Sequence, residues 1–261
     1  MRLVPISASR IQAITAHTLR GAVACALSAL LATVVWSTSA AAQAIDSVDA
    51  VFSVRYNSKE TEGENLLKIQ RDGDQYVIDF ELDHWMIASK QIAKFQSNGC
   101  QVTPESYTDS NKRPFKSAKT QQLTFNWNKE VAILEEDGKE KQFKLQGAHS
   151  AYDPLSFFFE IRCGLMAGER HFSYPVIRKG RMRTQDFQVV DNQIVNTPLG
   201  DFKALVVERV RDNSKRKTRL YVAPELDYLL VKIEHQEGAM LNIIATLKEM
   251  EYQLVELEQS S

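Results

Sequence analysis

Apolar and polar residues alternate with a period of two through most of this chain. Phe52, Val54 and Tyr56 stand against Ser53 and Arg55, and Tyr76, Ile78, Phe80 and Leu82 against Val77, Asp79, Glu81 and Asp83. Leu123, Phe125 and Trp127 repeat the pattern. In the second half it returns in Phe202, Ala204 and Val206, in Thr218, Leu220 and Val222, in Tyr228 and Leu230, and in Leu241, Ile243, Ala245 and Leu247. Successive side chains of an extended chain point to opposite faces, so each run reads as a strand with one buried and one hydrated face. Turn formers punctuate the runs: Asp72-Gly73-Asp74, Ser97-Asn98-Gly99, Asp137-Gly138, Pro198-Leu199-Gly200 and Glu237-Gly238. The pattern predicts about twelve to fourteen strands joined as a meander.

One segment departs from it. Asp153 is a helix-capping acid, Pro154 suits the first helical position, and the stretch to Met166 is rich in Leu, Phe and Ile before Gly168 stops it. A helix near 153–167 that is apolar on nearly all sides must be buried. The predicted fold is therefore mainly β: a curved antiparallel sheet, or incomplete barrel, with one central buried helix on its concave face. A curled sheet fills its interior with side chains or holds a ligand there. No Pro/Gly/Ser linker divides the pattern, so residues 45–256 are expected to be a single domain, with a short tail at 257–261.

The N-terminal segment is read as a signal peptide of residues 1–44. Arg2, Arg10 and Arg20 form a basic region without acids, Gly21 to Trp36 an apolar core, and Ala42-Gln43-Ala44 a small-residue cleavage site. The apolar run is about 16 residues, short of the roughly 20 that span a bilayer, and no transmembrane segment is expected after cleavage. Ala22-Val23-Ala24-Cys25 is a partial match to a lipoprotein acceptor, but the apolar run continues past it to Val35. The expected location is the periplasm. There, Cys100 and Cys163 read either as one disulfide or as two buried thiols. The formal charge of −1, more negative once the leader arginines are gone, sets the chain apart from general nucleic-acid binders.

Motifs for chemistry are missing. His84, His149, His171 and His235 are not spaced as metal ligands, and no Cys-x-x-Cys, calcium loop, nucleophile elbow or phosphate-binding glycine motif occurs, so neither metal nor cofactor is expected. Asp79, Glu81 and Asp83 beside His84 and Trp85 would suit a glycan hydrolase, or form the hydrated outer face of a strand. Basic residues concentrate at Arg178 to Arg183 and at Arg209 to Arg219, both next to turns, where they read as hydrated hairpin tips or as a dock for an anionic lipid head group. Asp79, Glu81, Lys203, Arg209 and Arg219 are all expected on outward faces, which sets the chain apart from an outer-membrane barrel.

Two local motifs resemble the bacterial family called domain of unknown function 3108: Asp153-Pro154-Leu155-Ser156, and Asn196-Thr197-Pro198-Leu199-Gly200-Asp201-Phe202. The stretch from Leu220 to Glu234 is similar to that family's late hairpin, with Tyr221 where tryptophan is common and Leu230 where proline is. The resemblance implies an exported β protein and supplies no catalytic residue. Asp153 and Pro154 read as a helix start, and Thr197, Pro198 and Gly200 as a tight turn. The functional expectation is noncatalytic binding of an apolar or amphiphilic envelope molecule such as a lipid, with Phe80, Trp85, Phe125, Phe157, Phe158 and Ile161 as candidate lining residues. The alternative is an assembly factor that pairs with an envelope protein through a free strand edge.

Overall fold

The computed structural model describes residues 43–57, 59–84, 87–112, 117–147, 149–212, 215–238 and 241–256. Residues 1–42 of the expected leader, with its apolar core and Cys25, together with Trp85 and the tail at 257–261, lie outside them. Eight strands precede the helix: β1 (Gln43–Tyr56), β2 (Lys59–Asp72), β3 (Gln75–His84), β4 (Ile87–Asn98), β5 (Gln101–Lys112), β6 (Lys119–Asn126), β7 (Val131–Glu136) and β8 (Lys139–Lys144). The helix α1 (Phe157–Met166) follows. Six strands complete the chain: β9 (His171–Arg178), β10 (Arg181–Thr197), β11 (Gly200–Val210), β12 (Arg216–Ala223), β13 (Leu229–Glu237) and β14 (Leu241–Glu256).

All fourteen strands form one antiparallel sheet, in the order β8-β7-β6-β5-β4-β3-β2-β1-β14-β13-β12-β11-β10-β9. Each half is a meander, as the spacing of turn signals predicts. The halves join where β1 pairs with β14 from Gln43↔Glu256 to Tyr56↔Ile243, so the two ends of the described chain lie at the sheet's centre. β1 begins at Gln43, so cleavage after Ala44 would trim the two residues that face Glu256 and Val255. Among the described residues no ladder joins β8 to β9, and the sheet stays open.

Register carries one apolar face around the whole sheet. Val48, Ile69, Ile78, Ala93, Tyr107, Leu123 and Leu134 stand opposite one another from β1 to β7, and all are buried. In the other half, Ala245, Ile233, Leu220, Val207 and Val189 continue that face to β10, where Phe187 meets Phe172 of β9. The helix lies against this face and touches both halves. Phe159 meets Tyr76 of β3 at 4.9 Å and Phe95 of β4 at 5.0 Å, while Phe157 meets Tyr174 of β9 at 5.8 Å and Phe187 of β10 at 5.5 Å. Strands so far apart in the sheet reach one helix only because the sheet curls round it. Fully burying each of Phe157, Phe159, Ile161 and Leu165 contributes about 1.5–3 kcal/mol.

Polar ties fix the helix at one end of the curl. Glu160 Oε1 accepts the Val102 N–H at 3.0 Å and the Tyr152 hydroxyl at 2.7 Å, and Arg162 Nε donates to the Asp227 carbonyl at 2.7 Å. Cys100 and Cys163 stand in bonding contact with Cα atoms 5.5 Å apart. Gly164 lets β9 approach, since a Cβ there would meet the Phe172 ring at 2.6 Å. The helix begins at Phe157, later than the capping signal predicts. The buried Asp153 carboxylate accepts the Leu155 and Ser156 N–H groups at 2.8 and 2.9 Å, and so caps a separate turn first.

Both free edges are managed. The Tyr152 N–H donates to Pro175 and its carbonyl accepts from Ile177, covering part of the outer edge of β9. β8 is short and carries Lys139, Lys141 and Lys144, the charges that discourage strand addition. Lys141 Nζ donates to the Gly180 carbonyl at 2.8 Å and ties the two edges together.

Two outcomes follow. Replacing Cys100 and Cys163 by serine should lower the unfolding free energy by about 3 kcal/mol in urea titrations, given the long loop the bond closes, and an unchanged midpoint would contradict a formed bond. Burial pushes the Asp153 carboxyl above its ordinary value of 3.8. Its contribution is therefore fully present below the unfolded pKa and lost as pH rises through the raised folded value. Asp153→Asn lacks that loss. Its urea midpoint should gain on the parent's as pH rises from about 4 to about 7, and a difference independent of pH would refute the buried carboxylate.

Candidate functional site

The hairpin connections divide between the two ends of the curl. The helix, the disulfide and Asp227 lie at one end, which is closed. At the other end lie the β3–β4, β5–β6, β9–β10, β11–β12 and β13–β14 connections, and no helix covers them among the described residues.

Along the concave face the side chains change character toward this open end. The rung nearer the helix, Val48, Ile69, Ile78, Ala93 and Tyr107, is apolar apart from one phenol, and all five are buried. The next rung is Ala50, Leu67, Phe80, Gln91 and Asp109, and from Leu67 onward its members are only half-buried. Beyond it come Phe52, Asn65, Leu82, Ser89 and Asn111. Tyr107 donates its hydroxyl to Gln91 Oε1 at 3.0 Å, and Asn111 Nδ2 donates to Asp109 Oδ1. Burial raises both the Tyr107 phenol and the Asp109 carboxyl above their usual ranges. A cavity of about 120 Å³ lies at this end of β3–β5, lined by Leu82, Ser89 and Asn111 of the concave face and by Glu81, Ala88, Lys90, Ser110 and Lys112 of the convex one, with Ala118 beside them. At about 30 Å³ per water in the liquid, it has room for a few waters or a short alkyl segment.

The opposite wall of the same end is basic. Arg209 stands across from Phe187, so it shares the face on which the helix packs. Arg211 donates to Thr218 Oγ1 at 3.2 Å, and Thr218 Oγ1 lies 2.9 Å from His235 Nδ1. Burial, then Arg211, then Arg178 depress the Arg209 pKa to about 10.

The positions singled out in the sequence scatter across this architecture. Phe80 stands at the open end. Phe125, stacked on Trp127 at 5.5 Å, Phe157 and Ile161 lie in the packed core, and Phe158 is half-buried against Phe157 and Phe187. Asp79 and Glu81 share Lys90, at 3.1 and 3.3 Å, on the convex face. Thr197 closes the predicted turn, accepting from Leu199 N–H and donating to the Gly200 carbonyl, with Gly200 at φ +128°. Arg209 corrects an expectation: it points to the concave face, not outward. Adjacent Val206 and Val207 are both fully buried, so the alternation of β11 reads equally well in either phase.

A curled, edge-open antiparallel sheet around one helix is a β-barrel-like protein. The sequence profile of the family described as "Protein of unknown function (DUF3108)" matches residues 51–239, and the chain belongs to that family. Among solved structures it is similar to a β-barrel-like protein of domain of unknown function DUF1849 from Brucella abortus. The TM-score is 0.54 at 9% identity, over 80% of this chain and 98% of that one, so the likeness concerns the fold alone. A DUF1329 family protein from Desulfovibrio piger ATCC 29098 aligns with a TM-score of 0.24 at 8% identity, over 84% and 89% of the two chains. No curated protein matches the sequence.

Core and open end should separate in mutagenesis. Phe157→Ala should cost about 3–5 kcal/mol in urea unfolding, as a fully buried phenylalanine does, and Phe80→Ala about 1 kcal/mol. Equal costs would contradict the difference in packing.

Proposed function

We propose that this is an exported, noncatalytic periplasmic protein that binds an amphiphilic molecule of the cell envelope, such as a lipid, at the open end of the curled sheet. One observation carries the proposal: across β2–β5 the concave face passes rung by rung from apolar to polar side chains toward that end, with Leu67, Phe80, Leu82, Gln91 and Asn111 half-buried and Asn65 and Ser89 buried. Such a gradient suits a ligand whose apolar part enters first and whose polar part stays near water. Leu67, Phe80 and Leu82 supply the apolar surface, and Gln91, Ser89 and Asn111 the polar one. Each methylene withdrawn from water contributes about 0.8 kcal/mol, so even four or five would hold a ligand at the entrance. The deep aromatic residues fill the core, which limits how far a chain can enter.

The readings by assembly and by hydrolysis have less to rest on. Strand addition meets a lysine-bearing β8 on one side and the Tyr152 segment on the other. Asp79 and Glu81 are both engaged by Lys90, whose pKa rises chiefly through its hydrogen bond to Asp79.

Native mass spectrometry of protein prepared without detergent, followed by solvent extraction, tests the proposal. A lipid-sized adduct should accompany the parent and be lost in Phe80→Asp, while the circular dichroism spectrum of that variant shows it still folded at the temperature of the measurement. A bare parent that takes up no added lipid, or an adduct indifferent to Phe80→Asp, would count against binding at this end.

A further inference from the structure

The two basic clusters of the sequence converge in space. Register places Arg209 on the concave face, and the Arg211–Thr218–His235 chain of contacts lies beside it toward the open end. Arg178 is the last residue of β9, in phase with Phe172, Tyr174 and Val176 on that same face. Its charge is felt at Arg209, Arg211 and His235 on one side and at Asp109 and Tyr107 on the other. β9 and β13 are four strands apart in the sheet, so the charge of the exposed Arg178 acts on His235 across the concavity and not along the sheet.

Like charges gathered this way repel, and the carboxylates near them, Asp186 for Arg209, Glu237 for Arg211 and Asp109 for Arg178, act on them without forming ion pairs. Asp109 bonds Asn111, Asp186 accepts from Ser173 at 2.7 Å, and Glu237 pairs with Arg216. Among the described residues, no carboxylate comes within ion-pair distance of Arg178, Arg209 or Arg211. The Nε atoms of Arg209 and Arg211 are buried without a hydrogen-bond partner. Buried polar groups in native proteins are almost always satisfied, and an orphaned guanidinium N–H calls for an acceptor from outside the chain. Guanidinium groups match oxyanions through paired N–H donors, and three of them suit a multiply charged one.

We propose that Arg178, Arg209 and Arg211 form an anion site at the open end, which holds the phosphate head of the amphiphile while Leu67, Phe80 and Leu82 meet its tail. The tail rests on the function proposed above, whereas the head site stands on the arginines alone.

Titration calorimetry of the purified parent, Arg209→Gln and Arg211→Gln at fixed ionic strength separates the two. The probes are dodecyl phosphate, dodecyl maltoside and inorganic phosphate, with both detergents below their micelle concentrations. Expected are binding of dodecyl phosphate, a loss of about tenfold in affinity in each variant, competition by inorganic phosphate, and little change for dodecyl maltoside. Thermal melts give an independent readout. Phosphate should raise the parent's midpoint and not that of Arg209→Gln, which in its absence should melt no lower than the parent because a repulsion is gone. Dodecyl phosphate binding unaffected by either substitution would overturn the anion site and leave amphiphile binding standing. Arginine-dependent binding of inorganic phosphate as tight as that of dodecyl phosphate would keep the anion site and remove the amphiphile. Binding of none of the probes would end both.

Discussion

A sheet that curls without closing needs something in its concavity to hold the two halves at a fixed distance. Here that element is one short helix. Phe159 engages Tyr76 and Phe95 on one side, and Phe157 engages Tyr174 and Phe187 on the other, so α1 replaces the ladder that β8 and β9 do not form. Its position is fixed by three kinds of tie: the Glu160 carboxylate on Val102 and Tyr152, the Arg162 guanidinium on the Asp227 carbonyl, and the Cys100–Cys163 link. Paired β1 and β14 at the sheet's centre let both halves bend about one seam.

Placing the helix at one end decides what the other end can be. Deep rungs are filled by aromatic and aliphatic contact, and polar side chains enter the concave face of β2–β5 only in the last two rungs before the open end. Charge is also distributed unevenly around that rim. The wall from β3 to β5 offers amides, a hydroxyl and the Asp109 carboxyl, whereas the wall from β9 to β13 offers arginines and a histidine. An asymmetric rim can orient a ligand as well as retain it.

Much of the fold was legible in the sequence because period-two alternation is a local property. The runs at Tyr76–Leu82 and Leu241–Leu247 both lie in strands, and the Asp153-Pro154 start and the Thr197–Gly200 turn are local hydrogen-bonding motifs. Pairing order was not legible in the same way. That β1 meets β14, and that β8 and β9 are edges, depends on contacts between residues nearly the whole chain apart. The site was harder still. Arg178 lies far in sequence from Arg209 and Arg211, each group sits beside a turn, and residues beside turns are normally hydrated. Only the curl turns them inward. Nor did the Val206-Val207 pair reveal which face of β11 is concave, because both residues are buried.

Hydrogen exchange measured by mass spectrometry on the parent and on Phe157→Ala tests most directly whether α1 holds the two halves together. The expected result is a simultaneous loss of amide protection in β3–β5 and in β9–β10, since both depend on the same helix. Loss confined to β9 and β10, with β3–β5 protected as in the parent, would show that the sheet keeps its curl without the helix and would contradict this architecture.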